Sequence, residues 1–364
     1  MKKALLIIFT VIIVSTMVLA GCGQQAAPAP SPAPGPAPAP APSQPVVIKY
    51  GYDIPPTLPP AVGQNWWAEE VTKATEGRVK VEVYPASALV SQQSSLDAVL
   101  AGVADMYMLS VATYRKQFPI SMIVGLPGAG FPDETTEVNV TAVNTFFEML
   151  DKYPEARAEY DDFGPLFFYI IYSESYLLSK GKEIRVPADF KGLKVGSNGI
   201  RMELAGALGA APVNDIPPLA YEKLQTGVTD ATFAAISAGH DFQLWEVTDH
   251  VLDVPFGAGG HPIVINKATW NKISAKDQDI MKSLAPEGSR RTSEALAKLN
   301  ALAWTEFTEK GMKVTATPQE KALWEAEFKK LWDTWTAEAK AAGLKDPQGL
   351  LTWWKSKSDA AWAK

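Results

Sequence analysis

Beyond residue 45 the spacing of apolar and polar positions switches repeatedly between two periods. Val46–Tyr52 is an almost unbroken apolar run, the pattern of a buried strand. Pro55, Pro56, Pro59 and Pro60 then demand a loop. Asn65–Thr75 sets Trp66, Trp67, Val71 and Ala74 at helical spacing, and Gly77 follows as a C-terminal stop. Val79–Tyr84 alternates with period two, Ser94–Ala101 reads as a helix closed by Gly102, and Met106–Val111 reads as the next strand. A β-α-β-α-β order predicts a lobe built on a largely parallel sheet.

The same order returns downstream. Leu193–Val195 is a short strand, Ile200–Leu208 a helix stopped by Gly209, and Leu219–Thr226 a helix stopped by Gly227 before a strand begins at Val228-Thr229-Asp230. Gly102-Val103-Ala104-Asp105 and Gly227-Val228-Thr229-Asp230 thus occupy matching places, helix before and strand after. The glycine supplies a left-handed residue, the valine is expected in the sheet core, and the aspartate is expected to receive backbone donors at the strand edge. Two such lobes joined by crossing strands predict an α/β fold of two-lobe periplasmic-binding-protein architecture, with ligand taken between the lobes. The hinge is expected near Ile171–Tyr176 and Val254–His261.

Pro318–Ala341 carries Trp324, Phe328, Leu331, Trp332 and Trp335 on one helical face. This predicts a long amphipathic helix whose aromatic stripe is packing surface, long enough to span both lobes.

The N-terminus changes the picture. Lys2 and Lys3 precede a mostly apolar run to Ala20, which ends Leu19-Ala20-Gly21-Cys22. This is a secretory leader, and its last four residues resemble the bacterial lipobox. Residues 1–21 are expected to be removed and Cys22 to carry the lipid, giving an exported protein anchored to a bilayer. Cys22 is the only cysteine, so the mature domain has no disulfide, thiolate nucleophile or thiolate metal site. Residues 22–45 form an Ala/Pro-rich tether, and about twenty extended residues of this kind reach up to ~60 Å. The lobes are expected at 46–173 plus about 262–300, and 174–261 plus about 301–364 with the spanning helix.

The net charge of −6, nearer −8 without Lys2 and Lys3, argues against a nucleic-acid partner. The chain has no HExxH, GxSxG, P-loop or CxxC. His240, His250 and His261 lack a ligand at metal-binding spacing, so no metal, cofactor or catalytic residue is expected.

From Val46 to about Pro286 the chain resembles the solute-binding proteins of TRAP (tripartite ATP-independent periplasmic) transporters. The resemblance rests on Glu76–Pro85, the paired Gly-Val-x-Asp turns, Phe118-Pro119 to Leu126-Pro127, Thr248-Asp249-His250, Trp270 and Lys276-Asp277-Gln278. Pro187–Val195 is its most specific stretch. It implies a small organic ligand, membrane permease subunits as partners and no covalent chemistry. A binding protein of an ATP-driven importer, a ligand sensor and an exported enzyme stay open as alternatives.

The departures concern the ligand. The family's carboxylate-clamping arginine falls at Gly196 here, a second family arginine near Ser175, and the usual amide within Ala231–Ala234. Loss of bidentate arginines disfavours a dicarboxylate and favours a neutral, monoanionic or aromatic ligand. Tyr52, Asp53, Met108, Ser110, Tyr172, Ser175, Thr232 and Phe233 are the candidate contacts. Gly196, Ser197 and Asn198 join them at a helix start that offers backbone N–H groups. Arg201 is a candidate substitute cation, although charged helix residues are mostly exposed and a solvated position is the expected one.

Overall fold

The computed structural model describes residues 44–132 and 135–363. The leader, Cys22 and most of the tether lie outside the described residues.

The first lobe opens with β1 (Val46–Gly51), α1 (Pro59–Ala74), β2 (Val79–Tyr84), α2 (Ser95–Leu100) and β3 (Met106–Met108). α3 (Thr136–Lys152) and α4 (Pro154–Ala158) lead to β4 (Tyr169–Ser179), which passes to the second lobe. There follow β5 (Lys194–Ser197), α5 (Ile200–Ala207), β6 (Ala211–Asn214), α6 (Pro217–Gln225), β7 (Ala231–Ala235), α7 (Ile236–Asp241) and β8 (His250–Leu252). β9 (Ala258–Ile265) returns, followed by α8 (Lys267–Trp270), α9 (Ala275–Glu309), β10 (Lys313–Val314), α10 (Pro318–Ala341) and α11 (Pro347–Trp362).

All strands join one ten-stranded sheet whose main path is β2-β1-β3-β9-β4-β7-β5-β6. The path is symmetric about its middle. β1 lies parallel between β2 and β3, and β5 lies parallel between β6 and β7. β9 and β4 run antiparallel to each other and to the flanking strands, so both crossings between lobes are strands inside the sheet.

The repeated turns are the clearest mark of this symmetry. Asp105 accepts the Lys49 N–H at 2.9 Å and Asp230 accepts the Lys194 N–H at 2.8 Å. In return the Lys49 and Lys194 carbonyls accept the aspartate N–H groups. Gly102 and Gly227 each have φ +74, as a left-handed stop requires. The valines are not core residues: Val103 is 53% and Val228 48% exposed, while Ala104 and Thr229 are buried in their place. The left-handed glycine throws the next side chain outward, and the strand starts four residues after the glycine.

α1 begins at Pro59, six residues before the expected start. Two prolines at its first positions cost no hydrogen bond there, because those N–H groups have no helical partner. β3 stops at Met108 rather than Val111; beyond it Leu109 and Val111 still donate to Pro262 and Gly260 of β9.

Two helices span both lobes. α9, 35 residues with Pro286 inside it, packs on α1 and α3 of the first lobe and on α7 of the second. α10 occupies the expected range and is stapled by indole N–H groups. Trp324 donates to the Arg185 carbonyl in the second lobe, and Trp332 and Trp335 donate to the Pro127 and Pro119 carbonyls in the first, at 2.9 to 3.0 Å.

Candidate ligand-binding site

Ligands in open α/β sheets gather at the C-terminal ends of parallel strands. In the first lobe those ends deliver Tyr52 and Asp53 after β1 and Met108 to Ser110 in and after β3. In the second they deliver Ser197 and Asn198 at the end of β5, just before α5. The lobes meet at this level: a Cβ on Gly199 would stand 3.3 Å from that of Ala112.

The first-lobe side is aromatic. Tyr52 donates to Asn65 Oδ1 at 2.7 Å, and the Tyr172 hydroxyl lies 3.7 Å from the Met108 sulfur. Tyr172 from β4 stacks on His261 from β9, with ring centroids 4.0 Å apart and planes 23° from parallel. Burial first, then the Asp53 and Tyr52 charges, hold the Tyr172 phenol well above its ordinary range, which places these residues in one cluster. Asp53 reaches solvent, yet the walls around it desolvate its carboxyl and raise it. Burial lowers His261 to about 4, the Gly259 carbonyl opposing, so its imidazole is neutral at pH 7. Its Nδ1 has no hydrogen-bond partner among the described residues.

The second-lobe side carries charge. Arg201 is not a solvated helix residue. Its Nη1 donates to the Gly257 carbonyl at 3.2 Å and its Nη2 to Asn198 Oδ1 at 3.0 Å. Its Nε is buried and has no partner among the described residues, and the same holds for Ser197 Oγ. Burial pulls the guanidinium down to about 10 against the opposing charge of Glu174. Glu174 is fully buried and accepts the Gly257 N–H at 2.8 Å. One peptide residue therefore links the arginine and the carboxylate. Gly257 has φ +93, and a Cβ there would stand 2.1 Å from the Gly125 carbonyl oxygen, so glycine alone fits.

The space at Gly196 is filled by Asp215, whose Oδ2 lies 2.6 Å from where a Gly196 Cβ would be. Asp215 takes the Lys223 ammonium at 2.9 Å and the Thr232 hydroxyl at 3.3 Å. Gly196 and Thr232 thus belong to this buried polar cluster. Phe233 lies in the core, packed on Phe190 and Phe256 beneath α10. Ser175 of β4 is backbone-paired to Gly257 and Phe256 just before β9, and Ser110 accepts the Thr113 N–H. Glu174, Asp215 and His261 are absent from the sequence-derived set. Glu174 had a signal: a charge inside the apolar strand Tyr169–Ser179 needs a partner.

Two surface hollows of about 650 and 370 Å³ open on the first lobe, the larger between Phe147, Phe167 and Arg290 and the smaller beside Tyr160 and Trp270. No strand-end residue lines either, so the chemistry lies elsewhere. Among the described residues no three His, Cys, Asp or Glu side chains gather as a metal site, and no helix is long and apolar enough to cross a membrane.

Residues 54–339 match the bacterial extracellular solute-binding proteins, family 7. The C4-dicarboxylate-binding periplasmic protein DctP of Rhodobacter capsulatus is 28% identical over 300 residues, 78% of this chain and 84% of that protein. A TRAP periplasmic solute-binding protein from Bordetella bronchiseptica, solved with bound (R)- and (S)-mandelate, is 25% identical and superposes with a TM-score of 0.75, covering 87% of this chain and 99% of that one. A Rhodoferax ferrireducens TRAP solute-binding protein with copurified benzoate superposes at 0.74 with 18% identity, over 87% and 99%. With two symmetric lobes, spanning helices and polar groups converging at the strand ends, this chain belongs to family 7 of the bacterial extracellular solute-binding proteins, the DctP-like proteins that bind small organic ligands for TRAP transporters.

Proposed function

We propose that the protein captures an organic acid with one carboxylate and an aromatic body, and delivers it to TRAP permease subunits while tethered to a bilayer through acylated Cys22. The observation that carries the ligand class is Arg201, a half-buried side chain whose buried Nε has no partner among the described residues, at the start of α5. One N–H of each Nη is taken by Gly257 and Asn198, and the carboxylate is received on the unpartnered Nε, with Ser197 Oγ and the N–H groups before α5 as further donors. Lys223 is committed to Asp215 and to the Asn214 carbonyl, which leaves a second carboxylate without compensation. An unpaired buried carboxylate costs several kcal/mol. The stacked Tyr172 and His261 offer the flat surface that an aromatic ring takes, and the mandelate-bound relative supports the class. In this reading β4 and β9 serve as the hinge, and the lobes close on the ligand to exclude water.

Calorimetry with mandelate, benzoate, succinate, malate and a neutral polyol tests the reading. The aromatic monocarboxylates are expected to bind and the dicarboxylates to bind at least ~10-fold more weakly, the ratio of ~1.4 kcal/mol. Micromolar succinate or malate binding with no binding of either aromatic acid overturns it. Delivery is tested by reconstituting the chain with its permease subunits and following uptake of the ligand so found.

A further inference from the structure

Arg115 lies in the turn that follows β3, in the first lobe, and is 18% exposed. Its guanidinium is engaged on two sides. Nε and Nη2 donate to the Glu338 carboxylate on α10 at 3.1, 2.7 and 2.8 Å. Nη1 donates to Glu203 on α5, and Nη2 stands 3.5 Å from the other Glu203 oxygen. The two contacts differ in kind. Glu338 lies close along α10 to Trp335, whose indole holds the Pro119 carbonyl of Arg115's own lobe, so the Glu338 contact does not cross the cleft. Glu203 sits on the second lobe, two residues from Arg201, on a helix of eight residues that starts after Gly199 at φ +54. Parting of the lobes would separate Arg115 from Glu203, while the Trp335 staple ties the Glu338 stretch of α10 to Arg115's own lobe.

We infer that Arg115 is a positioning residue for the ligand site, a latch across the cleft mouth that holds α5, and with it Arg201, against the first lobe when the lobes are closed. The inference rests on Arg201 being the cation that meets the ligand. Glu338 fixes the guanidinium in advance, so catching Glu203 costs little side-chain entropy, the advantage of a preorganised planar fork. Glu203 is 46% exposed, so the bond is screened by salt and its worth is that of a surface pair. Ligand release, which needs the lobes to part, is then slowed by the latch, while capture by the open form is not.

The test uses the full chain with Arg115→Gln, Arg115→Lys and Glu203→Gln, with benzoate and (R)-mandelate as probes. Glu203→Gln changes only a half-exposed side chain and guards against misfolding of the Arg115 variants. Expected are dissociation rates raised roughly two- to five-fold in Glu203→Gln and Arg115→Gln, the range of an exposed ion pair, with association rates unchanged. Arg115→Lys is expected to keep part of the effect, and the difference from wild type is expected to vanish near ~1 M salt, where screening acts within about 3 Å. Dissociation rates and salt dependence equal to wild type in both Gln variants overturn the latch. Should neither probe bind the wild-type chain, the carboxylate reading fails, and X-ray scattering of the unliganded proteins at low salt decides the latch. A larger radius of gyration in Glu203→Gln than in wild type upholds it, and equal radii overturn it.

Discussion

The Gly257 carbonyl accepts from Arg201 Nη1 at 3.2 Å. The same glycine gives its N–H to Glu174 and lies against the Gly125 carbonyl, so one residue beside β9 touches Arg201, Glu174 and the first lobe.

Replacing Arg201 separates charge from shape. Arg201→Gln is expected to weaken aromatic monocarboxylate binding by about 2–5 kcal/mol, the cost of deleting one partner of a buried charged hydrogen bond. Arg201→Lys is expected to recover only part, since a point charge cannot hold Gly257 and Asn198 while offering Nε. Calorimetry with benzoate and mandelate measures both, and full affinity in Arg201→Gln refutes the role.

Gly257→Ala is expected to destabilise the fold by more than about 1 kcal/mol, because its positive φ and the Gly125 oxygen leave no room for a methyl group. Urea unfolding reads the loss. The Gly227→Ala variant, also at positive φ but with nothing within 4 Å of the added carbon, bears only the backbone strain and is expected to lose less.

The paired aspartates provide an internal control. Asp105 also accepts from Thr269 at 2.6 Å, whereas Asp230 has its second contact with the exposed Lys194 ammonium at 3.5 Å. Asp105→Ala is expected to cost about 1–3 kcal/mol and Asp230→Ala less, as read by denaturant midpoints at constant slope. Equal losses contradict the difference in their second contacts.

Two buried groups give stability opposite slopes with pH. Burial raises Glu159 to about 7, although its carboxylate accepts from Ser121 at 3.0 Å and from Ile120. The folded state keeps that proton while the unfolded carboxyl loses it near 4.5, so this contribution is present below 4.5 and lost as pH rises through 7. His261, lowered to about 4, does the reverse: the unfolded chain takes up the proton below 6.5, and stability falls from there down to 4. In Glu159→Gln the first slope is expected to disappear. The stability of wild type relative to the variant then falls between pH 4.5 and 7 by on the order of 3 kcal/mol. Unfolding curves across that range check it, and parallel curves count against it.

The lipid anchor is checked on the full chain in its host. Intact mass of the membrane fraction should show lipid on Cys22 and loss of residues 1–21, and Cys22→Ser should leave soluble or uncleaved protein. Mature protein with an unmodified Cys22 removes the proposal.

The lobes were legible because the repeat that builds them is local: helix, glycine and aspartate in sequence reproduce Lys49–Asp105 and Lys194–Asp230 in space. α10 was legible because its tryptophans keep one face. α9 was not, since Pro286 and scattered small residues hide its period, and its 35 residues are held by packing against both lobes. Within the site, the family resemblance marked the missing arginines and offered Arg201 only as a candidate substitute, with a solvated position expected. Arg201 looks like any exposed helix cation until Gly257 and Asn198, brought near by the fold, take up its Nη groups. Asp215 filling the space at Gly196 likewise depends on a contact between neighbouring strands that no local pattern encodes.

The outward valines have a practical consequence. Val103 and Val228 mark matching turns before β3 and β7, one in each lobe, beside glycines where an added carbon meets nothing closer than 3.9 Å. Exposed turns of this kind are where inserted domains are best tolerated. A donor fluorophore domain spliced at one and an acceptor at the other would turn the proposed closure of the lobes into an optical signal, the working principle of a genetically encoded metabolite sensor.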